Sequence, residues 1–125
     1  MELLVWTAVE HVANWGNDDS TFEDAYSLGG RPWEVPLQYQ EEAAIFQISK
    51  VRTPTHIVGG TADIRVAALE NYLLDRALHA LGVPSTLLLF PGEGHFLLKN
   101  PWHGKIKVRE EMKWLEKYAG NGGSP

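Results

Sequence analysis

Three short apolar runs punctuate the chain: Leu3–Val9, Pro54–Gly59 and Ser85–Phe90. Each is rich in branched or aromatic residues and gives way to polar or glycine-bearing sequence, the pattern of a buried strand. Leu87-Leu88-Leu89-Phe90 is continuous rather than alternating, which suits a strand covered on both faces in a parallel sheet. Between the second and third runs, Ala68, Leu69, Tyr72, Leu73, Ala77, Leu78 and Leu81 recur at spacings of three and four. That period predicts an amphipathic helix from Val66 to Leu81, which Gly82 ends and Pro84 keeps from continuing. Ile106, Val108, Met112, Trp114, Leu115 and Tyr118 predict a last helix from about Gly104 to Tyr118. Upstream the pattern is weaker. Glu10 to Ser20, with His11, Asn14, Gly16, Asn17 and Asp18, reads as a loop; Thr21–Leu28 reads as a short helix stopped by Gly29-Gly30. Arg31–Pro36 is irregular, Leu37–Ala43 reads as a short helix, and Ile45–Lys50 leads into a loop. Strands alternating with helices imply an α/β fold with about three parallel strands and right-handed crossovers.

Composition narrows the function classes. The 125 residues suffice for one domain with its own core. The net charge of -5 argues against a nucleic-acid partner, which needs a basic face to neutralise phosphates. There is no cysteine, so disulfides and thiolate metal sites are excluded. No apolar run approaches the roughly 20 residues that span a bilayer, and Met1-Glu2-Leu3-Leu4-Val5-Trp6 carries an acid where a signal peptide carries basic residues. The expectation is therefore no membrane partner and a cytoplasmic location. Gly120-Asn121-Gly122-Gly123-Ser124-Pro125 reads as a flexible tail after a domain of residues 1–119.

The candidate chemistry sits just past two of the strands. Gly59-Gly60-Thr61-Ala62-Asp63 follows one and Pro91-Gly92-Glu93-Gly94-His95 follows the other. An Asp and then a His, in that order, are the last two members of an α/β-hydrolase Ser…Asp…His triad. Taken locally, the same residues fit ordinary loop polars equally well. Gly-x-Ser-x-Gly, which would bring the serine, does not occur in these residues. Ser20, Ser27, Ser49, Ser85 and Ser124 all lack its flanking glycines; Ser20 fits a helix cap, Ser49 a loop and Ser85 a strand start. His11, His56, His79 and His103 share no metal-ligand spacing, so no metal is expected. Trp6 and Trp33 read as packing residues. Glu110-Glu111 and Lys117 read as complements to the dipole of the last helix.

Five segments together resemble the catalytic domain of prolyl oligopeptidase-type serine peptidases, the acylaminoacyl-peptidase branch included. They are Gly30-Arg31-Pro32-Trp33-Glu34 with Pro36, Val51-Arg52-Thr53-Pro54-Thr55, Gly60-x-x-Asp63-x-Arg65-Val66, Leu78-x-x-Leu81-Gly82-Val83-Pro84, and Pro91-Gly92-Glu93-Gly94-His95. Two departures are mild: Gly59-Gly60 stands where the family usually has His-Gly, and Ala67 where it often has Pro. The resemblance implies the C-terminal part of an α/β-hydrolase fold over residues 1–119, with His95 as general base, Asp63 as the acid that orients it, and no cofactor. It also implies that the nucleophile, the oxyanion-hole donors and the neighbouring strands belong to an upstream half. The chain alone is then expected to be inactive, with a peptide-like substrate only if completed. Its exposed sheet edge is expected to self-associate or to bind the nucleophile-bearing half of a split hydrolase. A non-catalytic, partner-binding module is the alternative.

Overall fold

The computed structural model describes residues 11–16 and 20–120; the strand expected at Leu3–Val9 and the tail residues 121–125 lie outside them. The elements are α1 (His11–Trp15), α2 (Ser20–Leu28), α3 (Pro36–Glu42), a 3-10 helix (Ala44–Lys50), β1 (Thr55–Gly60), α4 (Ala68–Ala80), β2 (Ser85–Phe90) and α5 (Pro101–Tyr118). Strands β1 and β2 pair in parallel, from Thr55 opposite Ser85 to Gly60 opposite Phe90. The expected parallel α/β arrangement is thus present. Among the described residues the sheet has two strands, and the third expected one falls outside them.

The core lies between α4 and the sheet. Ile57 of β1, Leu78 of α4 and Val83 are buried together, with Ile48, Val51, Leu74 and Leu87 packed around them. Helix α4 ends as its sequence requires. Gly82 adopts φ 70, its N–H reaches the His79 carbonyl at 3.0 Å, and the Val83 N–H reaches back to the Leu78 carbonyl at 3.0 Å. This is a Schellman closure, and its accompanying apolar contact is the Leu78–Val83 pair of the core.

Three expectations shift. His11–Trp15 is a short helix, not a loop. Its polar residues are spent on tertiary bonds: buried Asn14 accepts the Ala67 N–H at 3.0 Å, and Thr21 Oγ1 donates to the Trp15 carbonyl at 2.7 Å. Trp15 meets Trp33 edge-on at 5.2 Å, so the helix is held by packing rather than by propensity. Ala44–Lys50 forms a 3-10 helix where only a lead into a loop was expected. Helix α5 starts a turn early, at Pro101, because proline suits the first helical position and the Asn100 side chain caps the Trp102 N–H at 3.0 Å. Glu110 and Glu111 consequently lie mid-helix. They pair with cations of their own helix, Glu110 with Arg109 and Lys113 and Glu111 with Lys107, and do not serve its dipole.

Candidate active site

Parallel pairing brings the carboxyl ends of β1 and β2 level at Gly60 and Phe90. The two loops that leave these ends are tied to each other. The Thr61 N–H donates to the Phe90 carbonyl at 3.1 Å, the Ala62 N–H to the Glu93 carbonyl at 2.9 Å, and the Gly92 N–H to Thr61 Oγ1 at 2.7 Å. So close an approach needs glycine at position 60. A Cβ there would run into the Glu93 carbonyl and lie 2.8 Å from the Gly94 oxygen.

On this platform Asp63 and His95 meet. His95 Nδ1 lies 2.8 Å from Asp63 Oδ2, and the two side chains are 12% and 9% exposed. The other carboxylate oxygen, Oδ1, accepts the backbone N–H groups of Arg65 at 2.8 Å and Val66 at 3.0 Å. Each oxygen thus has its own partner, and the carboxylate plane is fixed. Phe96 packs edge-on against the His95 ring at 5.1 Å, and the Arg65 guanidinium lies 5.5 Å from the Phe96 ring centre. The arrangement is chemically suited to holding an imidazole in one tautomer, with Nδ1 protonated toward a carboxylate.

A second Ser/His/Asp grouping lies at the other end of the sheet. Ser85 Oγ is 3.0 Å from Asp75 Oδ1 and 3.0 Å from His79 Nδ1. Here the hydroxyl and the carboxylate crowd the same ring nitrogen, with His79 Nδ1 also 3.3 Å from Asp75 Oδ1. A proton relay needs one partner on each nitrogen, so the cluster is a strand-end cap rather than a second triad. Ser85 and Phe90 open and close β2, which puts them about 17 Å apart along a strand. Ser85 is therefore no substitute nucleophile for His95. Ser27 is in α2, Ser49 is in the 3-10 helix, and Ser124 lies outside the described residues.

His56 stacks on Trp114 at 5.7 Å, and His103 tilts against Phe90 at 4.9 Å. Burial lowers the His56 pKa below its ordinary 6.5, against the pull of Glu111 and Glu110 and with some help from Lys107. Trp33 meets Trp15 edge-on but is 64% exposed, so it is not the buried packing residue expected. Among the described residues, no group of three or more His, Cys, Asp or Glu side chains comes together as a metal site, and no helix is long and apolar enough to cross a membrane.

One residue of the site had no role in the sequence reading. Glu93 is 1% exposed and holds three groups of the segment after His95: the Lys99 N–H at 3.0 Å, the Asn100 N–H at 2.8 Å and His103 Nδ1 at 2.7 Å. The available signal was an acid set between two glycines in a turn otherwise suited to small residues. Burial alone would raise its pKa, but the bonds from Lys99, His103 and Asn100 outweigh that and leave it below 4.5.

The chain as a whole is similar to known proteins. The dipeptidyl-peptidase 5 of Porphyromonas endodontalis is 29% identical over 98 residues, which cover 74% of this chain and 14% of that one. The acylaminoacyl peptidase of Pyrococcus horikoshii superposes with a TM-score of 0.83 over 94% of this chain and 20% of that one, at 17% identity. Puromycin hydrolase superposes with a TM-score of 0.74 over 94% of this chain and 18% of that one, at 26% identity. These neighbours establish the α/β-hydrolase fold, and the chain spans only about a fifth or less of the length of each. The family model described as the prolyl oligopeptidase family matches residues 5–122, nearly the whole sequence, and the chain belongs to that family.

Proposed function

We propose that residues 1–119 are the acid-and-base part of a serine peptidase catalytic domain, with His95 as general base and Asp63 as its orienting acid. The observation that carries this reading is the 2.8 Å bond between His95 Nδ1 and Asp63 Oδ2, with Oδ1 held by two backbone N–H groups. A serine Oγ presented to His95 Nε2 would give up its proton there as it attacks an acyl carbonyl. Asp63 would stabilise the imidazolium so formed, which then protonates the leaving amine. The serine and the oxyanion donors come from sequence outside these 125 residues, since Gly-x-Ser-x-Gly is not among them. Without them the residual rate is negligible, because triad and oxyanion hole together carry many orders of magnitude. The relatives' names, dipeptidyl-peptidase and acylaminoacyl peptidase, favour a peptide-like substrate.

The test is reconstitution. A nucleophile-bearing segment carrying Gly-x-Ser-x-Gly is mixed or co-expressed with the 125-residue chain, and hydrolysis of a chromogenic ester and a dipeptidyl amide is measured. Activity is expected only with both parts, and is lost with His95→Ala. Activity that survives His95→Ala would refute the role of His95.

A second reading rests on the apolar surface. Phe22, Tyr26, Leu37, Leu98 and Trp102 are among the large side chains left exposed, and among the described residues neither strand has a second neighbour. Such a surface and edge favour self-association or a partner. Light scattering at rising concentration tests it: growth in mass supports association, and a constant monomer mass refutes it.

A further inference from the structure

Glu93 is a buried carboxylate that the acid–base chemistry does not use, and it sits where both loops of the site converge. Its backbone carbonyl accepts the Ala62 N–H, one residue before Asp63, at 2.9 Å. Its side chain grips the far side of the His95 loop at Lys99 and Asn100, and reaches α5 through His103. Asn100 in turn caps α5. Between these anchors the chain passes through Leu97 at φ 53, a left-handed conformation that a leucine adopts only when its surroundings impose it. The Leu97 N–H closes that turn onto the Gly94 carbonyl at 3.3 Å. The Lys99 ammonium adds a bond to the Gly92 carbonyl at 2.9 Å. His95 is therefore carried on a short, strained arch whose far foot is nailed down by one carboxylate.

We infer that Glu93 is a positioning residue for the acid–base pair, holding the 94–100 arch so that the His95 ring meets Asp63. This rests on the reading of Asp63 and His95 given above, and it adds a residue that touches neither the substrate nor the reacting atoms. Gln at 93 is nearly isosteric, but it turns one of the two acceptor oxygens into an NH2 group. One of the Lys99 N–H, Asn100 N–H and His103 contacts must then face a donor.

The experiment is proton NMR on the full 125-residue chain with 15N-labelled histidine, following solvent exchange of the His95 Nδ1 proton, assigned by its loss in His95→Gln. Exchange at least about tenfold faster is expected in Glu93→Gln, the equivalent of losing one hydrogen bond to a charged acceptor. Ile57→Val, which weakens the core away from the loops, is expected to leave the exchange rate unchanged. An unchanged rate in Glu93→Gln overturns the proposal, as does an equal acceleration in Ile57→Val, which would mean that the proton reports only global stability. Should Glu93→Gln not fold, His103→Gln removes one partner of the carboxylate and is expected to accelerate exchange in the same direction; no change there overturns the proposal. Asp63→Asn separates the two levels. If the protected proton survives Asp63→Asn, the acid–base pair itself fails. If it is lost there but untouched in Glu93→Gln, only the role of Glu93 fails.

Discussion

Adding one methyl group at Gly60 and at Gly104 should move stability in opposite directions. At Gly60 the new Cβ meets the Glu93 carbonyl and its carbon, the latter at 2.6 Å, and the Gly94 oxygen at 2.8 Å. All three are backbone atoms, so no side chain can swing aside. Relief requires β1 and the 91–95 turn to part by something on the order of 1 Å, the scale of misplacement that costs a catalytic site about a hundredfold. Overpacking of this kind costs about 1–3 kcal/mol. It also stretches the Ala62 N–H to Glu93 bond, now 2.9 Å, and with it the approach of Asp63 to His95. At Gly104, inside α5, a Cβ meets nothing within 4 Å, and alanine's better helix propensity should stabilise by about 1 kcal/mol. Urea unfolding followed by tryptophan fluorescence gives both values, and the chemical shift of the Ala62 amide reports the local separation. A Gly60→Ala chain as stable as the parent, with that amide unmoved, would refute the close-approach reasoning.

Other expectations follow from the same contacts. Leu78→Ala empties a side chain with 0% exposure at the centre of the core and should cost about 2–5 kcal/mol, enough to unfold much of so small a core at 25 °C; a loss under about 1 kcal/mol in urea titration would mean the core lies elsewhere. Asn100→Ala removes the α5 cap on Trp102 and should cost about 0.5–2 kcal/mol by the same assay, while Asn100→Ser should retain most of it; equal losses would dismiss the cap. His56 has its folded pKa below its unfolded 6.5, so the unfolded chain takes up a proton first. Stability should hold above pH 6.5 and decline as pH falls from there toward the folded value, and His56→Gln should remove that part of the decline. An unaltered pH slope in His56→Gln would contradict the burial argument.

Much of this fold is legible along the chain, and the legible parts share a cause. β2 matches its apolar run at both ends, and α4 falls within two residues of its predicted bounds, because hydrophobic period and a glycine stop act locally. The helix stop at Gly82 is likewise written in a short motif, whereas the approach of Asp63 to His95 is legible only through the family resemblance, since each motif alone fits ordinary loop polars equally well. α1 is not legible: Asn14 and Thr21 carry turn-forming side chains whose actual partners are Ala67, 53 residues away, and the Trp15 carbonyl. The early start of α5 lies ahead of its apolar period, which begins at Ile106, and rests instead on Pro101 at the first helical turn, where proline is favoured. Glu93 escaped notice because its partners follow the histidine motif rather than lie within it, and burial of an acid cannot be read from polarity.

The most direct test of the central claim is ester and dipeptidyl-amide hydrolysis by the 125-residue chain mixed with a nucleophile-bearing segment carrying Gly-x-Ser-x-Gly. The expected result is no turnover by either part alone, turnover on mixing, and its loss by several orders of magnitude in His95→Ala and in Asp63→Asn. Turnover by the chain alone, or turnover of the mixture that is indifferent to both substitutions, would contradict it.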